Sequence, residues 1–209
     1  KADGELTFGN HCWRWEESTV CAEDQTLLPV PRIVYRIDRF PTGALAPLLP
    51  ETLRWDGWIN GEVDFTTTGD GPDGRLFLDA GEGQFQLLVD GEWESLAYNT
   101  LTSEVALKPK QADLAVRLSG PELGDFTLDM NLDPNSDDRN VEGSFSLEGL
   151  DIALAGLLSG LDEVAGRVNG QGQLSGPLMK PAVTGELHLV NGRVSDPRLP
   201  VPIEEVIAS

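Results

Sequence analysis

Histidine and cysteine are scarce in this chain, two of each in 209 residues, and that scarcity removes most of the common catalytic and metal chemistries. No Gly-x-Ser-x-Gly elbow and no His-Glu-x-x-His run occurs, so neither a serine-hydrolase turn nor a zincin helix is present. His188 lies between Leu187 and Leu189, where strand alternation turns it to the polar side. Asp133-x-Asn135-x-Asp137 starts like a calcium loop. It has Asp138 where glycine is needed and Ser144 where the bidentate glutamate belongs. Gly170-x-Gly172 has no helix behind it and is not a dinucleotide loop. The sequence therefore assigns no catalytic residue, no metal and no cofactor.

Basic residues are also few, with 15 Lys and Arg against 35 Asp and Glu and a net charge of −20. No basic stripe is available for phosphates, which excludes nucleic acid as a partner. The same charge repels anionic headgroups, keeps a β-rich chain soluble and discourages strand-edge pairing. No apolar run reaches the ~20 residues that cross a bilayer, and Lys1-Ala2-Asp3-Gly4 does not open a signal peptide. The last residues, Ile203 to Ser209, stop in mid-pattern, as expected of a cut from a longer protein. Aromatics are only 7%, so an apolar surface here is mostly aliphatic.

Glycine and proline are plentiful, 23 and 14, and predict many short strands rather than long helices. Period-2 alternation dominates, clearest at Phe126, Leu128, Met130 and Leu132 with Thr127, Asp129 and Asn131 between them. Asp90-Gly91 and Asn191-Gly192 predict tight hairpin turns, and the stretches 69–74 and 133–140 read as turns. Helix is confined to two candidates, Gly43–Leu49, limited by Pro47 and Pro50, and Asp151–Leu161, with Asp151 as its cap. Cys12 and Cys21 are nine positions apart in a possible hairpin. A disulfide closing that loop stabilises by roughly 2–3 kcal/mol and implies an oxidising compartment; the alternative is two unrelated thiols.

One unit occurs twice. Shifting by 109 positions aligns Ala44 with Ala153, Leu45 with Leu154, Leu48 with Leu157, Leu49 with Leu158, Gly57 with Gly166, Asn60 with Asn169 and Gly61 with Gly170. Each copy reads as strand, short apolar helix and glycine-punctuated strand, which points to stacked units rather than one pocket. The expected division is residues 1–140, with the cysteine segment, and residues 141–209. The segment Gly172 to Gly192 reads G-x-L-x-G-x-L-x-x-P-x-x-x-G-x-L-x-L-x-x-G. With the repeated Leu-rich helix it resembles the TamB family of the AsmA-like group, well over residues 33–68 and 141–195.

That resemblance implies a periplasmic part of the translocation and assembly module of a Gram-negative bacterium. It implies a full-length protein anchored in the inner membrane and a long sheet curled into an open trough, the β-taco. Its partners would be a TamA-like Omp85 barrel, contacted by parts outside this chain, and phospholipid acyl chains or unfolded β-strands of outer-membrane proteins, autotransporters among them. The chain is then expected to come from the C-terminal half of such a protein. The fold expected is all-β, one long antiparallel or mixed sheet with an apolar interior and one or two short helices. Residues expected to line the groove are Val63, Phe65, Phe85, Leu87, Val89, Leu114, Val116, Leu118, Phe126, Leu128, Met130, Phe145, Leu147, Leu187 and Leu189. Alternation alone leaves two architectures open, this trough and a closed β-sandwich without lipid cargo. Trp55, Trp58 and Trp93 raise a third reading, a carbohydrate-binding module, though no paired polar platform accompanies them.

Overall fold

The computed structural model describes residues 4–133, 139–153, 163–195 and 203–206. The chain begins with β1 (Leu6–Phe8), β2 (His11–Trp15), β3 (Ser18–Ala22), β4 (Gln25–Leu28) and β5 (Arg32–Pro41). A 3₁₀ helix over Thr42–Leu48 follows, then β6 (Leu53–Asp56), β7 (Trp58–Thr68), β8 (Gly71–Asp79), β9 (Gly83–Val89) and β10 (Glu92–Tyr98). The rest is β11 (Thr100–Lys108), β12 (Gln111–Gly120), β13 (Gly124–Leu132), β14 (Asn140–Asp151), β15 (Glu163–Pro177), β16 (Ala182–Ser195) and β17 (Ile203–Val206). All pairings are antiparallel. The protein is an all-β open trough.

The long sheet runs β5-β7-β8-β11-β12-β13-β14-β15-β16-β17, with β3 and β4 sharing the far side of β5 and β2 outside β3. Among the described residues it does not close on itself. The two units expected from the sequence, 1–140 and 141–209, are joined by the unbroken β13–β14 ladder.

A second sheet, β6-β9-β10, is the first one folded over. β6 runs into β7 through Gly57, β8 into β9 through Ala80-Gly81-Glu82, and β10 into β11 through Asn99. The order β6-β9-β10 thus repeats β7-β8-β11. Gly81 takes a left-handed φ of +55° at this crease, which glycine adopts without steric cost. Inside the crease Ile59, Ala80 and Tyr98 are buried, with Phe40, Trp55, Leu78, Phe85 and Leu118 packed around them. This small core fills the corner where the strands turn from one sheet into the other. The folded chain exposes 13674 Å², whereas a compact monomer of its 22.6 kDa exposes about 9,500 Å².

The sheet can bend toward its apolar side because glycine occupies that side where strands crowd. A Cβ on Gly143 would stand 2.6 Å from the Asp129 carbonyl oxygen, and one on Gly172 2.6 Å from that of Thr184. Glycine kinks of this kind are how sheets curve.

The repeat is structural as well as textual. β5 and β14 each carry a bulge, between Ile37 and Phe40 and between Leu147 and Leu150. In the first, the Arg39 amide donates to Asn60 Oδ1 at 3.0 Å; in the second, the Gly149 amide donates to Asn169 Oδ1 at 2.7 Å. Arg39 and Gly149 both have positive φ, 52° and 74°. The Thr42 amide then donates to the Gly57 carbonyl and the Ile152 amide to the Gly166 carbonyl. Leu78 lies over Gly61 as Leu187 lies over Gly170, which extends the repeat into β8 and β16.

Two expectations are corrected or narrowed. Asn191-Gly192 is a bulge inside β16, not a hairpin turn: Asn191 has the left-handed φ that the dipeptide favours, but Gly166 of β15 crosses opposite and the ladder continues past it. The turn expected over 69–74 contracts to Gly69-Asp70, since Thr68 already pairs with Gly71. The helix expected over Asp151–Leu161 and the calcium-like stretch lie largely outside the described residues, although Asp151 Oδ1 does accept from the Ala153 amide at 2.9 Å.

Candidate functional site

Residues directly opposite in a sheet share a face, so the registers define the trough wall. One row runs Tyr35–Val63–Leu76–Val105–Leu114–Met130–Gly143–Leu174–Val183. The next runs Ile37–Gly61–Leu78–Ser103–Val116–Leu128–Phe145–Gly172–Gly185. Flanking them are Leu101–Leu118–Phe126–Leu147–Gly170–Leu187 on one side and Phe65–Gly74–Leu107–Ala112–Leu132–Val141–Gly176 on the other. Nine strands and four rows make a strip of about 38 by 20 Å.

Of the residues expected to line it, Val63, Phe65, Leu114, Val116, Leu118, Phe126, Leu128, Met130, Phe145, Leu147 and Leu187 fall in these rows. Leu189 joins them beyond the bulge through Leu150 and Val168. Phe85, Leu87 and Val89 do not share this wall: they stand on β9 of the folded-over sheet, and Phe85 is consumed in the crease against Trp55 and Tyr98. Period-2 alternation fixes a face but not the sheet that carries it. Leu76, Val105, Leu107 and Leu174 line the wall too and are missed in the sequence, because runs such as Leu76-Phe77-Leu78 hide the period.

Most wall side chains are half-buried rather than packed, and at the β16 end Leu187 keeps 57% of its surface. Only Tyr35 and Ser103 bring a polar side chain to the four rows. The opposite face is wet and laced with ion pairs, Arg32–Asp64 at 3.0 Å, Arg75–Glu104 at 2.7 Å and Arg117–Asp129 at 2.7 Å. Hydrogen bonds from Gln111 and Asn131 hold the Asp113 carboxyl below its ordinary range, and Asp64 holds the Arg32 guanidinium above its own. His188 is on this face beside Glu186.

Trp55, Trp58 and Trp93 are each engaged within the chain. Trp55 donates to the Tyr98 hydroxyl at 2.8 Å inside the crease, Trp58 lies under Arg39 and Trp93 under Arg54. Cys12 and Cys21 are joined in a disulfide that ties β2 to β3. Among the described residues no group of three or more His, Cys, Asp or Glu is placed to hold a metal ion, and no helix is long and apolar enough to cross a membrane.

A one-faced antiparallel sheet left open over most of its apolar side, with its polar side outward, defines a hydrophobic-trough protein. The chain belongs to the TamB family: the family model described as TamB, N-terminal domain, matches residues 1–189. The match is to the N-terminal domain and does not bear out the expected origin in the C-terminal half. The Gly-Leu-Pro pattern that suggested the later position describes a strand and turn that this fold repeats, so it carries no position along the chain. The family is a periplasmic, envelope-associated component of a translocation and assembly module that works with an Omp85-type partner. No solved structure matches the chain.

Proposed function

We propose that this chain is a non-enzymatic segment of a conduit between the inner and outer membranes, and that its apolar wall shelters the acyl chains of phospholipids in transit. One observation carries the choice of cargo: from β7 to β15 the wall's strands are paired on both sides, and only Tyr35 and Ser103 bring polar side chains to the four rows. An unfolded β-strand of an outer-membrane protein lying in the trough would leave backbone N–H and C=O groups unpaired, at about 1–3 kcal/mol each. An acyl chain has no such groups. Its burial contributes about 25 cal/mol per Å², which offsets the cost of leaving a bilayer. The full-length protein would be anchored in the inner membrane, with a TamA-like Omp85 barrel at the far end.

The test places a photocrosslinker at Leu128, on the wall, and at Thr127, on the outer face. Phospholipid adducts from position 128 alone are expected. Equal adducts from both positions, or none from either, reject the reading. With the crosslinker moved to position 126, also on the wall, Leu128→Asp is expected to abolish the adducts while the chain keeps its β-sheet circular dichroism, since Leu128 is not close-packed. Unfolding of that variant would instead mean a closed core.

A further inference from the structure

The outer edge of β2 differs from the wall in having backbone groups to offer. Cys12 and Cys21 lie directly opposite with Cα atoms 4.1 Å apart. That spacing marks a non-hydrogen-bonded pair, for which about 4.5 Å is usual against about 5.5 Å for a bonded one. The ladder to β3 is therefore made by His11, Trp13 and Trp15. The N–H and C=O groups of Cys12, and of Arg14 two residues on, point away from β3. Among the described residues β2 pairs with β3 alone, so these four groups have no backbone partner there.

Natural edges are blunted by shortness, charged side chains, proline, bulges or inward charges. His-Cys-Trp-Arg-Trp has no proline and no bulge, its one charge, Arg14, alternates to the face opposite the tryptophans, and it pairs with β3 without a register shift. Its tryptophans share the trough side, because Trp13 pairs with Val20 and Val20 with Ile37 of the wall. Trp13 stacks on Tyr35 with ring centroids 6.4 Å apart, yet Trp13 and Trp15 remain 52% and 54% exposed. The disulfide holds the strand on the sheet, so little ordering remains to be done when it meets a partner.

We propose that β2 is a docking edge for an extended polypeptide strand, which adds to the long sheet by hydrogen bonding to Cys12 and Arg14 and sets apolar side chains beside Trp13 and Trp15. The occupant is a strand, because only an extended backbone presents N–H and C=O groups at the matching spacing. A second copy of this chain is disfavoured by the net charge of −20 that each copy brings. Lipid and polypeptide would then use different parts of the molecule, the wall for one and the edge for the other.

Arg14→Pro tests this cleanly. It removes an outward N–H while leaving the β2–β3 ladder bonds, and edge strands tolerate proline with that side in solvent. The probe is a fluorescently labelled, end-blocked octapeptide alternating Val and Thr, followed by anisotropy against the oxidised chain. Wild type and Arg14→Ala are expected to bind it alike, and Arg14→Pro about tenfold or more weakly. The same peptide N-methylated at every residue, which leaves no N–H on either edge, is expected not to bind wild type, a control that stands even where the proline variant fails to fold. Equal binding by the N-methylated peptide, or no binding of the plain one, overturns the proposal. So does a wild-type dimer in sedimentation that Arg14→Pro dissociates, which would assign the edge to a second copy. Loss of lipid adducts at Leu128 would leave this result untouched, since it reports on the wall.

Discussion

Tyr98 is only 1% exposed and sits where the sheet folds over. A Cβ on Gly57 would stand 2.8 Å from its hydroxyl oxygen, so that position must stay bare. Trp55 donates to the same oxygen. Tyr98→Phe removes the acceptor and leaves a half-buried indole N–H unpaired, so a loss of about 1–3 kcal/mol is expected in urea unfolding. Burial also holds the phenol above its ordinary value, opposed by the Trp55 hydrogen bond. A raised pKa gives stability that is fully present below the unfolded value of about 10 and is lost as pH rises through the folded one. Melting temperature is thus expected to fall more steeply above about pH 10 in wild type than in Tyr98→Phe. Parallel curves would show that Tyr98 is not the group responsible.

At the scale of elements, the unit that repeats is a hairpin with a bulge, and Asn60 and Asn169 close it. Each accepts from the amide that the bulge frees, Arg39 in one copy and Gly149 in the other. Asn60→Ala and Asn169→Ala are each expected to cost about 0.5–1.5 kcal/mol, with the double variant additive because the two sites share no partner. Strong non-additivity would mean the two hairpins act as one. Both asparagines and the glycines that follow were visible as a repeat in the sequence; their task was not, since the bulge they serve lies a strand earlier. Asn191-Gly192 failed as a turn for a related reason: the dipeptide reports a left-handed residue, and only the strand opposite decides whether the chain reverses or bulges. The fold-over at Gly57, Gly81 and Asn99 left only one to three residues of signal between strands. Phe85, Leu87 and Val89 were therefore placed on the wrong wall despite being on a correctly read strand face.

For the whole molecule, alternation was enough to separate a dry side from a wet one, and eleven of the fifteen residues chosen for the groove fall in the four rows. Whether that side is covered depends on long-range layering, which a period of two does not encode. The answer differs along the sheet, covered at the crease and open toward β16.

From β12 to β17 every strand bonds to the one before it in the chain. Such a sheet is a row of neighbours, each answerable only to the next, and its stability adds up along the row. It has no single keystone whose loss brings everything down at once. Heating is expected to unzip it from the β16–β17 end while the creased part still holds. Hydrogen exchange should then show protection graded by position along the row, and a single uniform opening would contradict it. The same arithmetic makes length an inherited variable: one more hairpin adds one more step of channel without renegotiating the rest.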